Sequence, residues 1–400
     1  MTNRQPAGRI HMVDSTSGAK PKIGLILTGG GARAAYQVGF LRAVSHMLPR
    51  GAPNPFQILC GTSAGAINAA ALAADATDFH RAVRRLLLIW KYFHAEQIYR
   101  SDVAGVSGTG IKWLAALLLG GLGKNNPTSL LDNAPLAQLL RRHLDFPAIR
   151  RSIEAGALYA LSVTASGYTS GQSVTFFQGV PGLAGWHRAR RIGVPEMIDI
   201  DHLMASSALP FIFPAVPLRR EFFGDGSMRQ IAPISPALHL GADRVIVIGA
   251  SRQPGNATER IKTLAYPSLA QIAGHALNSI FLDSLEADIE RLQRINRTIR
   301  LISPDDRSRH DVQLREIDVL VISPSEEIDR MAARYTHELP RSIRFLLRGL
   351  GATKTGGATL TSYLLFEPAY CRALIALGYK DTMAKKGEIL KFVGTTTPEA

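Results

Sequence analysis

Lys22-Ile23-Gly24-Leu25-Ile26-Leu27 passes straight into Thr28-Gly29-Gly30-Gly31, and Ala32 to Met47 then has helical composition. The apolar run reads as a buried strand, and the glycines as its turn into a helix. The same succession follows at once. Phe56-Gln57-Ile58-Leu59-Cys60 is a second strand candidate, residues 61–63 turn, and Ala64 to Ala74 is an Ala-rich helix. Strand, glycine turn and helix, twice over, is the alternation of a mostly parallel α/β sheet.

Working outward, residues 79–145 read as mainly helical, with apolar stretches at Leu86 to Trp90 and Trp113 to Leu119. Tyr159 to Ala165, Ser173 to Phe177 and Arg244 to Ile248 read as strands, the last introduced by a helix at Ser235 to Leu240. Beyond residue 255 the character changes. Leu285, Ile289, Leu292 and Ile295 fall on one face of an amphipathic helix between Asp283 and Arg297. Ile317 to Ile322 reads as a strand, followed by helices around 326–337 and 340–349. A flexible link at 349–357 leads to a C-terminal piece, Leu360 to Leu377. The expected organisation is a flexible segment 1–20, a catalytic core 21–255, and a helical or mixed extension 256–400 that completes or caps the core.

The chain has 400 residues, 46% hydrophobic and 20% charged, so it is globular rather than disordered. Cys60 and Cys371 lie too far apart in sequence to suggest a disulfide framework, which fits a reducing compartment. No apolar run reaches the roughly 18 residues of a membrane span, and residues 1–20 lack the apolar segment of a secretory signal. A cytoplasmic protein, peripheral to a membrane at most, is expected. The net charge is +14, with 35 arginines against 11 lysines. Arginine suits phosphate, so anionic lipid, nucleic acid or a merely solubilising surface would each account for the charge. No zinc-ligand cluster and no nucleic-acid motif is visible, so neither metal, cofactor nor nucleic-acid partner is expected. The oligomeric state stays open.

Three short motifs carry chemistry. Gly61-Thr62-Ser63-Ala64-Gly65 fits G-x-S-x-G, a nucleophile elbow in which a serine sits at the apex of a sharp strand-to-helix turn. The bare pattern is common, but here a strand precedes it and an Ala-rich helix follows. Gly29-Gly30-Gly31-Ala32-Arg33-Ala34 also fits a dinucleotide fingerprint. That reading wants an acid roughly 20 positions on, and no Asp or Glu lies between Asp14 and Asp75. The remaining use of such a loop is an oxyanion hole, worth about 2.7–4 kcal/mol per donor. Phe222-Phe223-Gly224-Asp225-Gly226-Ser227 holds an acid between two glycines. Alone it would be an ordinary Asx turn. Beside the other two it is a candidate general base.

Together these motifs resemble the patatin-like phospholipase family in order and spacing over about residues 22 to 250. Gly39 in the first helix and the stretch Ala205-Ser206-Ser207-Ala208-Leu209-Pro210 belong to the resemblance. It implies a three-layer α/β/α patatin-like sheet and a Ser–Asp dyad without histidine. In that dyad Ser63 attacks an acyl carbonyl, Asp225 accepts its proton, and Gly29, Gly30 and Gly31 hold the oxyanion with Arg33 beside them. The implied substrate is a phospholipid or lysophospholipid. Thr28, Ala34 and the Asp-Gly-Ser form of the last motif depart from the family pattern without removing a catalytic group.

The runner-up chemistry is a triad in the order Ser63, Asp225, His, completed by His239, His275, His310 or His337. A membrane-associated binding protein that has kept the fold is the alternative outside enzymes, and intact Ser63 and Asp225 argue against it. Leu86 to Phe93 and Ile111 to Leu122 would form a cap or acyl-chain wall, or simply complete the core. Arg188-Ala189-Arg190-Arg191 would meet anionic headgroups.

Overall fold

The computed structural model describes residues 21–101, 129–249, 268–280, 284–310, 314–349 and 358–394. The expected N-terminal segment 1–20, the apolar stretch 111–122 and link residues 350–357 lie outside them. The first strand is β1 (Ile23–Leu27), and one 3₁₀ turn at Gly31–Ala34 leads into helix α1 (Ala35–Met47). Next come β2 (Ile58–Thr62), α2 (Ala64–Ala74) and α3 (Phe79–Lys91). The second strand therefore starts two residues later than its apolar composition suggests. Asn54 is the reason: its side chain accepts from the Phe56 N–H and donates to the Phe56 carbonyl, which holds Phe56 in a turn while its ring is buried.

The remaining strands are β3 (Ala160–Gly167), β4 (Ser173–Gly179), β5 (Trp186–Arg188), β6 (Arg191–Pro195), β7 (Val216–Leu218), β8 (Glu221–Asp225), β9 (Arg244–Ile248) and β10 (Asp318–Ile322). They form one sheet in the order β10-β9-β1-β2-β3-β4-β6-β5, with β8 paired to β3 and β7 to β8. From β10 to β3 all neighbours are parallel, and β4 and β8 both run against β3. Both the glycine loop and the serine turn thus leave the carboxyl ends of adjacent parallel strands, where open α/β sheets bind ligands.

Alternation along the strands divides the interior into two cores. Leu25, Leu27, Leu59, Leu161 and Val163 face α1, α2 and the C-terminal helices. Ile26, Ile58, Cys60, Val245 and Val247 face the other way, onto residues of the helices Ser235–His239 and Ser284–Arg300. The architecture is the expected three-layer α/β/α sandwich. In the amphipathic helix Leu285, Ile289 and Leu292 are buried as expected, and the buried face continues at Ile299 rather than Ile295.

The C-terminal residues are built into this frame. Strand β10 extends the sheet beside β9, and the helix Pro368–Ala384 lies along α1. Their backbones touch at two glycines. A Cβ on Gly39 would sit 2.3 Å from the Ile375 carbonyl oxygen, and one on Gly378 would sit 2.2 Å from that of Tyr36. Among the described residues, no helix is long and apolar enough to cross a membrane.

Candidate active site

Ser63 sits between the last residue of β2 and the first of α2, at φ 55° and ψ −132°. This backbone region costs a non-glycine residue on the order of 1–3 kcal/mol and persists where its surroundings enforce it. Two glycines do so by letting backbone come close. A Cβ on Gly61 would lie 2.4 Å from the Ala66 Cα, and one on Gly65 would lie 2.1 Å from the Leu27 carbonyl oxygen. The second contact also presses the start of α2 against the end of β1, where the glycine loop begins. On its other side the elbow is tied to β3. The Ser63 N–H donates to Ser206 Oγ at 2.8 Å, and Ser206 Oγ donates to the Thr164 carbonyl at 2.7 Å.

The glycine loop is held at its base. Thr28 Oγ1 donates to the Ile248 carbonyl at 2.9 Å, and Gln37 Nε2 donates to the Thr28 carbonyl at 2.7 Å. Gly31 has φ +55°, and a Cβ there would lie 2.3 Å from the Tyr363 carbonyl oxygen. Among the described residues, no acceptor meets the N–H groups of Gly30 and Gly31. Gly31 and Ser63 line one cavity, which leaves such donors for a developing negative charge.

Arg33 does not belong to that lining. It is 2% exposed, and its guanidinium reaches Asp329 at 2.5 Å, Ser362 at 2.8 Å and Asn278 at 3.3 Å. It also lies 4.0 Å from the centre of the Tyr363 ring. Its N–H donates to the Gly30 carbonyl. The expectation that it joins the oxyanion site is thus corrected: Arg33 braces the loop against the C-terminal helices, because its partners there outcompete the cavity. Removing Asp329 leaves a buried cation unpaired, so Asp329→Ala is expected to cost about 3 kcal/mol. Asp329 is itself a third exposed, which keeps the loss at the low end of that range. The midpoint of urea denaturation measures it.

Asp225 ends β8 and is fully buried. It stands opposite Ala165 of β3, and its N–H donates to the Ala208 carbonyl at 2.8 Å. Gly226 is required beside it, since a Cβ there would lie 2.1 Å from the Thr164 carbonyl oxygen. Oδ1 accepts from the Ser227 N–H at 2.9 Å, while Oδ2 meets no aligned donor. Burial raises the carboxyl pKa from 3.8 to about 6, and the Ser63 hydroxyl is the largest influence holding it down. That hydroxyl is therefore close to the carboxylate without being fully aligned to it.

Ser63 opens onto a cavity of about 860 Å³, including its mouth. Ile67 of α2, Leu86 and Trp90 of α3, Leu140 of the helix Ala134–His143, and Phe213 and Phe366 form much of its wall. Of the stretch Leu86 to Phe93, Leu86, Ile89, Trp90 and Phe93 line the cavity, and Leu86, Trp90 and Phe93 are also part of the buried core. Trp90 Nε1 is occupied by Asn68 Oδ1 at 2.8 Å, so the indole offers the cavity an apolar face. Ser207 and His143 are polar exceptions. His143, which carried no motif in the sequence, has its pKa lowered by burial and then by Arg142 and Arg85.

The other histidines lie elsewhere. His239 stacks on Trp186 at 4.8 Å between ring centres, and its pKa is pushed down to about 4 by burial and by Arg188 and Arg191. His337 pairs with Glu338, and His275 and His310 are exposed. Among the described residues, no cluster of three His, Cys, Asp or Glu side chains could hold a metal ion.

A family model described as patatin-like phospholipase matches residues 25–238, a span that contains all three motifs. No curated protein matches the chain. Among solved structures, VipD from Legionella pneumophila is 15% identical with a TM-score of 0.34, over 97% of this chain and 72% of that one. Human GIVD cytosolic phospholipase A2 in complex with methyl gamma-linolenyl fluorophosphonate is 16% identical with a TM-score of 0.40. That match covers 94% of this chain and 59% of the human one. The human protein alone gives 15% identity, a TM-score of 0.42 and coverage of 94% and 60%. The chain thus spans less than two thirds of the human enzyme.

Proposed function

The chain belongs to the patatin-like phospholipase family, hydrolases of carboxylic esters, and we propose that it cleaves fatty acyl esters of phospholipids or lysophospholipids through a Ser63–Asp225 dyad. The observation that carries this reading is a strained serine and a loop of unbonded N–H groups that share one apolar cavity, with a buried carboxylate beside the serine. Ser63 Oγ attacks the acyl carbonyl and its proton passes to Asp225 Oδ2. The carbonyl oxygen, now negative, is held by the glycine loop, with Gly30 and Gly31 as donors and Gly29 at its base. The leaving alcohol takes the proton back and departs, and water hydrolyses the acyl-Ser63 intermediate.

A free aspartate is a weak base for a serine hydroxyl. A carboxyl raised to about 6 is better matched to neutral pH while still ionised there. Support for a dyad over a triad comes from the histidines, since none of His239, His275, His310 and His337 contacts Asp225 among the hydrogen bonds and ion pairs of the described residues.

The cavity has the apolar lining that ligand sites have, which suits an acyl chain. We place residues 21–255 as the catalytic core and 256–400 as the extension that completes it, with Tyr363 to Phe366 as part of the acyl wall. The basic run Arg188 to Arg191 would then meet anionic headgroups at a membrane face in the cytoplasm. Purified protein incubated with mixed-phospholipid vesicles should release free fatty acid and the matching lysolipid, read by mass spectrometry. Products that retain every acyl chain would sink the proposal.

A further inference from the structure

Ser207 is 7% exposed, and its Oγ meets no hydrogen-bond partner among the described residues. It lines the cavity onto which Ser63 opens. Its backbone is fully committed: the N–H donates to the Leu203 carbonyl at 3.0 Å, and its carbonyl accepts from Leu209 at 2.9 Å. Its neighbours in sequence are committed to the dyad. Ser206 Oγ accepts from the Ser63 N–H, and the Ala208 carbonyl accepts from the Asp225 N–H. Ser207 is therefore fixed between the anchors of the nucleophile and of the acid, with one hydroxyl left over. A buried hydroxyl without a partner is disfavoured, and the cavity is where a substrate would supply one.

The sheet order says which substrate atom that is. In the succession β1, β2, β3 and then β8, the glycine loop follows β1 and Ser63 follows β2. Ser206 hangs on β3, and Asp225 ends β8. The donors for the carbonyl oxygen thus lie on one side of Ser63, and Ser207 lies with Asp225 on the other. When an ester carbon sits at Ser63 Oγ with its carbonyl oxygen toward the loop, its ester oxygen faces Asp225, to which it must look for a proton.

We propose that Ser207 is a catalytic residue whose hydroxyl donates a hydrogen bond to the leaving-group oxygen of the ester, a role that rests on reading Ser63 and Asp225 as the dyad. As the tetrahedral intermediate collapses, the bond between the acyl carbon and the leaving oxygen breaks and its electron pair stays on that oxygen. Asp225 returns to it the proton taken from Ser63. Ser207 keeps its own proton throughout and steadies the charge while the bond lengthens. In deacylation the attacking water occupies the same place, so the same hydroxyl orients it.

The test compares acylation rates in single turnover on two esters of one acyl chain, 1-decanoylglycerol and p-nitrophenyl decanoate. A glyceryl alkoxide needs help to leave, whereas p-nitrophenolate leaves largely unaided. Ser207→Ala is expected to slow the glyceryl ester roughly 100-fold, the low end of the range for losing one catalytic donor. The p-nitrophenyl ester should change by less than about threefold, and Ser207→Thr, which keeps the hydroxyl, should recover most of the glyceryl rate. A fluorophosphonate, whose fluoride leaves without assistance, should label Ser63 in Ser207→Ala as in the wild type. Equal losses on both esters, or none on either, with labelling intact would overturn the role of Ser207 alone. A wild-type protein that does not label at Ser63 would overturn the dyad beneath it.

Discussion

Ser63→Ala is expected to lower fatty acyl ester turnover by roughly 10⁴-fold or more, the scale seen when a hydrolase loses its nucleophile. No neighbour can stand in. Ser206 Oγ is spent on the Ser63 N–H and the Thr164 carbonyl. Ser207 Oγ meets no hydrogen-bond partner among the described residues, so no base activates it as a nucleophile. The fold should hardly notice, because alanine keeps the backbone at φ 55° and the hydroxyl makes no aligned bond there, so the change in stability should stay within about 1 kcal/mol. Fluorophosphonate labelling, followed by mass spectrometry of the tryptic peptide, measures the chemistry directly. A variant that still labels elsewhere and still turns over would relocate the nucleophile.

Asp225→Asn should cost about 10²- to 10⁴-fold in kcat/KM, the range for removing a general base. In the wild type, kcat/KM should fall as pH drops through about 6, since the protonated carboxyl cannot accept the Ser63 proton. Stability moves the other way. The folded pKa lies above the unfolded value, so the folded state holds the proton more tightly. Folding is then favoured by this group below pH 3.8, and that advantage is lost as pH rises toward 6. Above pH 6 the buried charge is a standing penalty. A rise of about two pKa units amounts to roughly 3 kcal/mol at 1.36 kcal/mol each. Asp225→Asn should therefore raise the urea midpoint at pH 8 and leave it nearly unchanged at pH 4. An equal midpoint at both would mean the carboxylate is not penalised by burial.

Much of this was legible because the reacting groups demand unusual backbone. Gly61, Gly65 and Gly226 are glycines since a Cβ would run into carbonyl oxygens or a helix start 2.1–2.4 Å away. Such contacts leave a local mark on the sequence. The central parallel strands announce themselves by apolar runs, with β2 shifted because Asn54 holds Phe56, whereas the short strands β5 to β8 have too little apolar sequence to be read as strands. What stayed hidden depends on distant pairs. The partner that turns Arg33 away from the cavity is Asp329, 296 residues on. Ser206 supports a backbone group 143 residues before it, and Ser207 differs from it by nothing a sequence records. Gly39 stands in a legible pattern and its counterpart Gly378 does not, because helix contacts between small residues carry no spacing signal across so long a gap.

The cavity wall has a consequence for how this protein could change. Tyr363, Leu364 and Phe366 line it, yet they lie well outside residues 25–238, the span that matches the family model. Part of the cavity's shape is thus written outside the passage that carries the three motifs. Leu364 and Phe366 can change size to reshape the cavity, whereas Tyr363 is tied to the glycine loop, since Arg33 stacks on its ring. A fragment trimmed to the matched span would lose this part of the wall together with Ile248 and Asp329, which hold the glycine loop in place.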